Sequence, residues 1–369
     1  MEKSASSSAK PRVLFVLHLP PPVHGAAMMG QTIRESRLVA DAFESRFVNL
    51  SASESLAEVG RVSLRKMTFL LRLLRRVRKE IRDFRPDLVY LTPTTSGPGL
   101  LKDCLTARTI RRCGSRLVLH FHNKGVSDRQ DRFPYGLLYR TLFKEAEVIL
   151  LSERLYSDVG RFVSRKDVHP CPNGIDCPAV PTREINAVPE ILFLSNLLPG
   201  KGVVDLLDAC RILVARGFRF TCRVVGAPSA YLSDEHFGRL VSERNLGDII
   251  RYDGPLYGSE KQEAMAGADM FVLPTRDDSF PLVILEAMAA GLAVVSTREG
   301  GIPDEVEDGV TGILCDKEDP SGLADSIGRL LERPDICREM GEAGRSRYAR
   351  LFSKTAFERR FVDILKQYV

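Results

Sequence analysis

The stretch Asp278-Ser-Phe-Pro-Leu-Val-Ile-Leu-Glu286 places two carboxylates eight positions apart, on either side of a proline. Pro281 suits the first turn of a helix, where its missing N–H has no acceptor in any case. Leu282, Leu285 and Met288 then recur at helical spacing, and Gly291 stands where a left-handed residue ends such an element. Asp278 is therefore expected in the loop before the helix and Glu286 within it. The first-turn N–H groups, at Leu282 and Val283, have no partner inside the helix, which makes its start a ready anion site. Two carboxylates that read hydroxyls around a phosphate site suit a sugar nucleotide. The same residues also fit an acidic surface loop followed by an ordinary amphipathic helix.

Working outward, Met270-Phe-Val-Leu-Pro274 and Leu292-Ala-Val-Val-Ser296 read as short buried strands flanking this helix. Similar runs lie at Ile191-Leu-Phe-Leu194 and Phe220-Thr-Cys-Arg-Val-Val225, and earlier at 13–18, 88–91, 117–120 and 148–151. Strands that are apolar throughout, alternating with helical segments, indicate parallel sheets covered on both faces. The series breaks at residues 179–189, which hold two prolines and little periodicity, and this stretch reads as an interdomain linker. The expected fold is α/β, with two doubly wound halves facing across a cleft and ligands at the carboxyl ends of their strands. The boundary is expected at 183/184, with a second domain over 184–353 and a C-terminal helix, about 354–369, able to pack back on the first.

The run from Ala268 to Gly312 resembles the C-terminal signature of family 4 glycosyltransferases, which are retaining enzymes of the GT-B fold. The family pattern of Glu, seven residues, Glu is met here by Asp278 and Glu286. Its proline-flanked Gly-Gly turn is matched by Gly300, Gly301, Pro303 and Asp304. Further matches are Pro172-Asn173-Gly174-Ile175-Asp176, the Lys201-Gly202 pair and Gly226. The resemblance is strong over residues 170–315 and diffuse before 115. It implies that Lys201 contacts the donor diphosphate, Glu286 the ribose hydroxyls and Asp278 the transferred sugar. It also places His122, at the end of a strand, near donor sugar and acceptor, and Gly25 at a turn whose N–H groups face the phosphates. His120, two residues earlier on the same strand face, reads as a buried, hydrogen-bonded core residue. Two departures stand out. Asp278 is one methylene shorter than the family glutamate, and Asn196 occupies the place of an arginine that shares the diphosphate, a role open to Arg276 or Arg298.

Composition sets further bounds. The 369 residues suffice for two domains of about 180 each. No stretch approaches the ~18 uninterrupted apolar residues of a membrane span. Val13–Leu17 is too short for a signal-peptide core, so a cytoplasmic protein is expected. The 8 cysteines form no Cys-x-x-Cys pattern and read as core thiols in a reducing compartment, although Cys171 and Cys177 flank the Asn-Gly turn at a spacing open to a disulfide. No Asp-x-Asp occurs. No metal and no cofactor are therefore expected, with helix N–H groups and Lys201 neutralising the leaving group instead.

Charge is uneven: residues 1–180 hold 30 Lys and Arg against 18 Asp and Glu, or +12, whereas the remaining 23 against 30 give −7. From Arg61 to Arg82 there are nine basic residues and one acid, Glu80, around an apolar stripe of Met67, Leu70, Leu71, Leu74, Val77 and Ile81. That is an amphipathic helix with a basic outer face, fit for an anionic membrane surface or simply solvated. Aromatic residues are not interleaved with the basic ones, so nucleic acid is not an expected partner. The expected function is retaining transfer of a sugar from a nucleotide-diphosphate donor to a glycan or lipid-linked acceptor hydroxyl, in cell-surface polysaccharide or glycolipid synthesis. An inverting transferase, a sugar-nucleotide epimerase and an inactive membrane-associated scaffold are the rival readings.

Overall fold

Each apolar run named above is a strand in the computed structural model, which describes residues 9–21, 24–51, 64–177 and 186–369. Two compact units divide the chain: residues up to Pro172 together with Phe357–Val369, and Asn173–Ala356.

In the first unit the strands are β1 (Arg12–Leu17), β2 (Glu44–Asn49), β3 (Leu88–Leu91), β4 (Arg116–Phe121), β5 (Glu147–Leu150) and β6 (Val168–Pro170). They form one parallel sheet in the order β2-β1-β3-β4-β5-β6. The helices are α1 (Gly25–Glu35), α2 (Arg37–Ala42), α3 (Leu64–Phe84), α4 (Gly97–Arg112), α5 (Tyr135–Phe143) and α6 (Tyr156–Val159). Strand β3 is buried at every position, as a strand covered on both faces must be, whereas the edge strand β2 is exposed at alternate residues at its start.

In the second unit β7 (Glu190–Leu194), β8 (Thr221–Val225), β9 (Ile250–Tyr252), β10 (Met270–Leu273), β11 (Ala293–Thr297) and β12 (Gly312–Cys315) are again all parallel. Their order is β12-β11-β10-β7-β8-β9, so the winding reverses between β7 and β10. The carboxyl ends of two such strands splay their loops apart, and the resulting crevice is where open α/β sheets hold ligands. Helices α7 (Val203–Ala215), α8 (Asp234–Glu243), α9 (Gly258–Gly267), α10 (Leu282–Ala290) and α11 (Ile302–Glu305) alternate with the strands. They are followed by α12 (Pro320–Glu332), α13 (Pro334–Leu351) and α14 (Lys354–Lys366).

The chain returns to the first unit within α14. Phe361 is fully buried there, with ring centroids 5.3 Å from Tyr90, 6.3 Å from Phe15 and 6.3 Å from His120. The units part at Pro172/Asn173, ahead of the position 183/184 expected from composition. The cause is local hydrogen bonding: Ile175 N donates to Phe352 O at 3.0 Å, and Lys354 N to Ile175 O at 2.8 Å, which ties this stretch to the end of α13. Residues 178–185 of the expected linker lie outside the described residues.

Several sequence expectations shift. On α3 the buried seam is Leu73, Val77, Ile81 and Phe84, while Leu71 is 50% exposed and Leu70 and Leu74 are half-buried. The period was right, but the stripe is rotated toward α4 and β1, against which the helix packs. Arg61 and the side chain of Met67 lie outside the described residues. On α7 Val214 faces solvent, and Leu282 on α10 is half-buried rather than core. Asn173 and Gly174 do not adopt left-handed backbone, because the extended bridge to Ser353 holds the segment straight. All eight cysteines are free thiols. Among the described residues no helix is long and apolar enough to cross a membrane.

Candidate active site

Lys201 closes a 3-10 turn, Pro199–Lys201, directly after β7, and Gly202 caps α7. Gly202 has φ +75°, and a Cβ there would lie 1.9 Å from the carbonyl oxygen of Pro274. Only glycine lets this turn pass so close to the end of β10. The two loops are also stitched together: Gly200 O accepts from Arg276 N at 2.8 Å and from Thr275 Oγ1 at 2.9 Å. Arg276 in turn clamps Asp205, in the first turn of α7, through Nε at 2.8 Å and Nη2 at 2.5 Å.

This stitching brings Lys201 Nζ to 2.6 Å from Asp278 Oδ2, so a cation and a carboxylate 77 positions apart share one spot at the winding reversal. Asp278 precedes α10, whose cap is Pro281 and whose first turn presents the N–H groups of Leu282 and Val283 without intrahelical acceptors. The helix ends at Gly291 with φ +78°, as its sequence requires. One turn into α10, Glu286 is held by Lys261 of α9, with Nζ 2.7 Å from Oε1 and 2.8 Å from Oε2. The Gly300-Gly301 turn lies against the Asp278 loop. Gly301 N donates to Ser279 O at 2.8 Å, and a Cβ on Gly300, φ +52°, would fall 2.2 Å from Asp278 O.

Lys201, Asp278, the Leu282 and Val283 N–H groups and Glu286 are thus assembled at the carboxyl edge of one sheet. Lys261 was missed. Nothing in its local sequence marks it, since its partner lies 25 positions later on another helix. The arginines considered as stand-ins for the family residue at Asn196 are both engaged by acids. Arg276 holds Asp205 and Glu318, and Arg298 holds Asp308 at 2.6 Å. Asn196 itself accepts from Ala227 N at 3.3 Å, a backbone-bracing role. Behind the Asp278 loop, Glu305 is fully buried with neither carboxylate oxygen hydrogen-bonded. Burial, then the charges of Asp278 and Asp304, push its pKa well above the usual carboxylate range.

His122 and Gly25 belong to the first unit, at the carboxyl ends of β4 and β1. Gly25 opens α1, and the cap is the preceding His24, whose Nδ1 accepts from Ala27 N at 3.4 Å. His120 is fully buried with Nδ1 2.7 Å from the Tyr90 hydroxyl, and its ring centroid lies 4.2 Å from that of His122. His18 follows β1 and stacks edge-on to His24, centroids 5.7 Å apart. Burial lowers the pKa of His18, His24 and His120, and the neighbouring His122 adds to the effect at His18 and His120. The sequence reading did not group His18 and His24 with His122, although each follows a strand of the same sheet. Among the described residues no three His, Cys, Asp or Glu side chains come together in a way that could hold a metal ion.

Comparison with known proteins bears on the same region. Residues 182–347 match the family described as Glycosyl transferases group 1. The chain is 28% identical over 286 residues to the putative colanic acid biosynthesis glycosyltransferase WcaL of Salmonella typhimurium, covering 71% of this chain and 68% of that protein. It is 34% identical over 169 residues to a D-inositol 3-phosphate glycosyltransferase of Geodermatophilus obscurus, covering 44% of this chain but 37% of that enzyme. In structure it is similar to Anabaena HepE, solved with UDP, at a TM-score of 0.77 and 17% identity, covering 96% of this chain and 100% of that one. Residues 182–347 therefore belong to the group 1 glycosyltransferases, a family of transferases, and the chain has the GT-B fold.

Proposed function

We propose that this protein moves a sugar from a nucleotide-diphosphate donor to a hydroxyl of a glycan or lipid-linked acceptor, with retention of anomeric configuration, in cell-surface polysaccharide or glycolipid synthesis. The observation that carries the proposal is the meeting of the Lys201 ammonium, the Asp278 carboxylate and the open first turn of α10 at one winding reversal. The departing diphosphate gains one negative charge as its bond to the sugar breaks, and a fixed ammonium with preset N–H groups meets it without reorganisation. The bond from the anomeric carbon to the diphosphate oxygen breaks with its electron pair on the phosphate. A bond to the acceptor oxygen forms, and the acceptor's proton is released with the nucleoside diphosphate. Asp278 accepts from the sugar hydroxyls and Glu286, steadied by Lys261, from the ribose hydroxyls. His122 and Gly25 follow β4 and β1, two strands of the single sheet of the first unit. The names of two relatives agree with the substrate class: HepE was solved with UDP, and WcaL is assigned to colanic acid biosynthesis. We place the protein on the cytoplasmic side of an anionic membrane, to which the basic face of α3 would be drawn.

The test is kinetic. Lys201→Ala and Glu286→Ala should each stay folded and lose about tenfold or more in turnover or donor binding, roughly 1.4 kcal/mol. The anomeric configuration of the product, read by NMR, should match that of the donor. Unchanged kinetics in both variants, or an inverted product, would remove the assignment.

A further inference from the structure

We propose that the connection between β4 and α5 is a docking surface for anionic phospholipid bilayers, with Phe133 and Leu137 entering the interface and Arg132 and Arg140 meeting headgroup phosphates. The proposal concerns a face of the first unit and does not depend on the sugar chemistry assigned above.

Phe133 is 92% exposed and Leu137 is 64% exposed, in a protein whose other large apolar side chains are mostly buried. Both line one shallow hollow of about 260 Å³, together with Arg132, Pro134, Arg140 and Arg161. Arg161 is paired with Asp131, but Arg132 and Arg140 have no carboxylate partner among the described residues. Two unneutralised guanidiniums beside two protruding apolar groups form a surface that asks for phosphate and hydrocarbon at once.

The segment is braced into this shape. The Asp158 carboxylate accepts from Gly125 N at 3.0 Å, Val126 N at 3.2 Å and Ser127 N at 2.8 Å. Arg132 N then donates to Arg129 O at 2.9 Å and Tyr135 N to Arg132 O at 2.8 Å, which fixes the tip by successive turns. Tyr139 anchors the middle of α5, its hydroxyl donating to Thr95 O at 2.6 Å. An aromatic held outward on a rigid turn is a usual anchor at the headgroup level. A second copy of the chain would bring the same unpaired arginines face to face, whereas an anionic bilayer neutralises them. Helix α4 packs against both α5 and α3, so the basic outer side of α3 belongs to the same helical layer and would add long-range attraction.

The chain contains no Trp, so Phe133→Trp gives it a single indole at the proposed point of entry. On addition of vesicles containing phosphatidylglycerol its emission should shift to the blue and be quenched by brominated acyl chains. Vesicles of phosphatidylcholine alone should leave it unchanged. In sedimentation with the anionic vesicles, Phe133→Ser with Leu137→Ser, and separately Arg132→Gln with Arg140→Gln, should each weaken partitioning about tenfold while melting as wild type does. Changing Arg72, Arg75, Arg76 and Lys79 to Gln should weaken binding at low salt yet leave the indole shift of the bound fraction intact. Sedimentation unaffected by the Phe133 and Leu137 changes, an unshifted indole on bound protein, or concentration-dependent self-association abolished by those changes would each overturn the proposal.

Discussion

Glu305 shows how much one side chain depends on its surroundings. Its carboxyl is buried without a hydrogen bond, next to two other acids, and its pKa is raised well above the usual range. The folded protein therefore holds that proton more tightly than the unfolded chain does. Stability from this group is fully present below the ordinary carboxyl pKa and is lost as pH rises toward the raised folded value. Glu305→Gln keeps the shape and removes the titration, so its urea midpoint should fall less with rising pH than that of wild type. Parallel pH profiles would show that the carboxyl is solvated instead. Lys201 and Asp278 illustrate the opposite case: both were singled out from motif position alone, and the fold places them 2.6 Å apart. Their pairing could not be read from the chain, because it is made by two loops brought together only when β7 and β10 lie side by side.

Helices were legible by period but not always by phase. On α3 the expected stripe held Val77 and Ile81, which are buried, but it also held the exposed Leu71 and left out the buried Leu73. Arginine stems make both sides of such a helix partly apolar, so composition allowed either rotation. Leu73→Ala should cost about 2–5 kcal/mol by leaving a cavity. Leu71→Ala, at an exposed position, should stay within about 0.5 kcal/mol. Denaturant unfolding of the two variants separates the phases, and equal costs would return the helix to the orientation expected from sequence. Among strands, those buried on both faces were found in the sequence, whereas β2, β6, β9 and β12 were not. Strands β2, β6 and β9 lie at sheet edges or are only three residues long, and β12 is a four-residue edge beginning with glycine. Short or half-solvated strands lack the continuous apolar run that gives the others away.

For the whole molecule, the proposed mechanism relies on the Lys201 ammonium and the α10 first turn to neutralise the diphosphate. Turnover should therefore survive exhaustive chelation, and addition of Mn²⁺ or Mg²⁺ to chelated protein should not restore lost activity. A screen of nucleotide sugars by thermal shift should find one that, at about 100 times its dissociation constant, stabilises the protein by roughly 2.7 kcal/mol. Lys201→Ala should lose that stabilisation. A chelator-abolished activity restored by either ion would require a different leaving-group partner.

Periodicity was enough to read two parallel α/β halves and the helix start at Leu282, and the family resemblance singled out Lys201, Asp278 and Glu286, because each of these signals is local in the chain. Burial on both faces writes itself into a strand, and a capped helix start writes itself into five or six residues. The pairing of Lys201 with Asp278 and of Lys261 with Glu286 arises only in three dimensions, as do the engagement of Arg276, the buried proton of Glu305 and the grouping of His18 and His24 with His122. Each joins side chains from different elements, and sequence distance says nothing about which neighbours a crossover connection will deliver. The exposure of Phe133 belongs to the same class: nothing local in its loop tells an outward apolar side chain from a buried one.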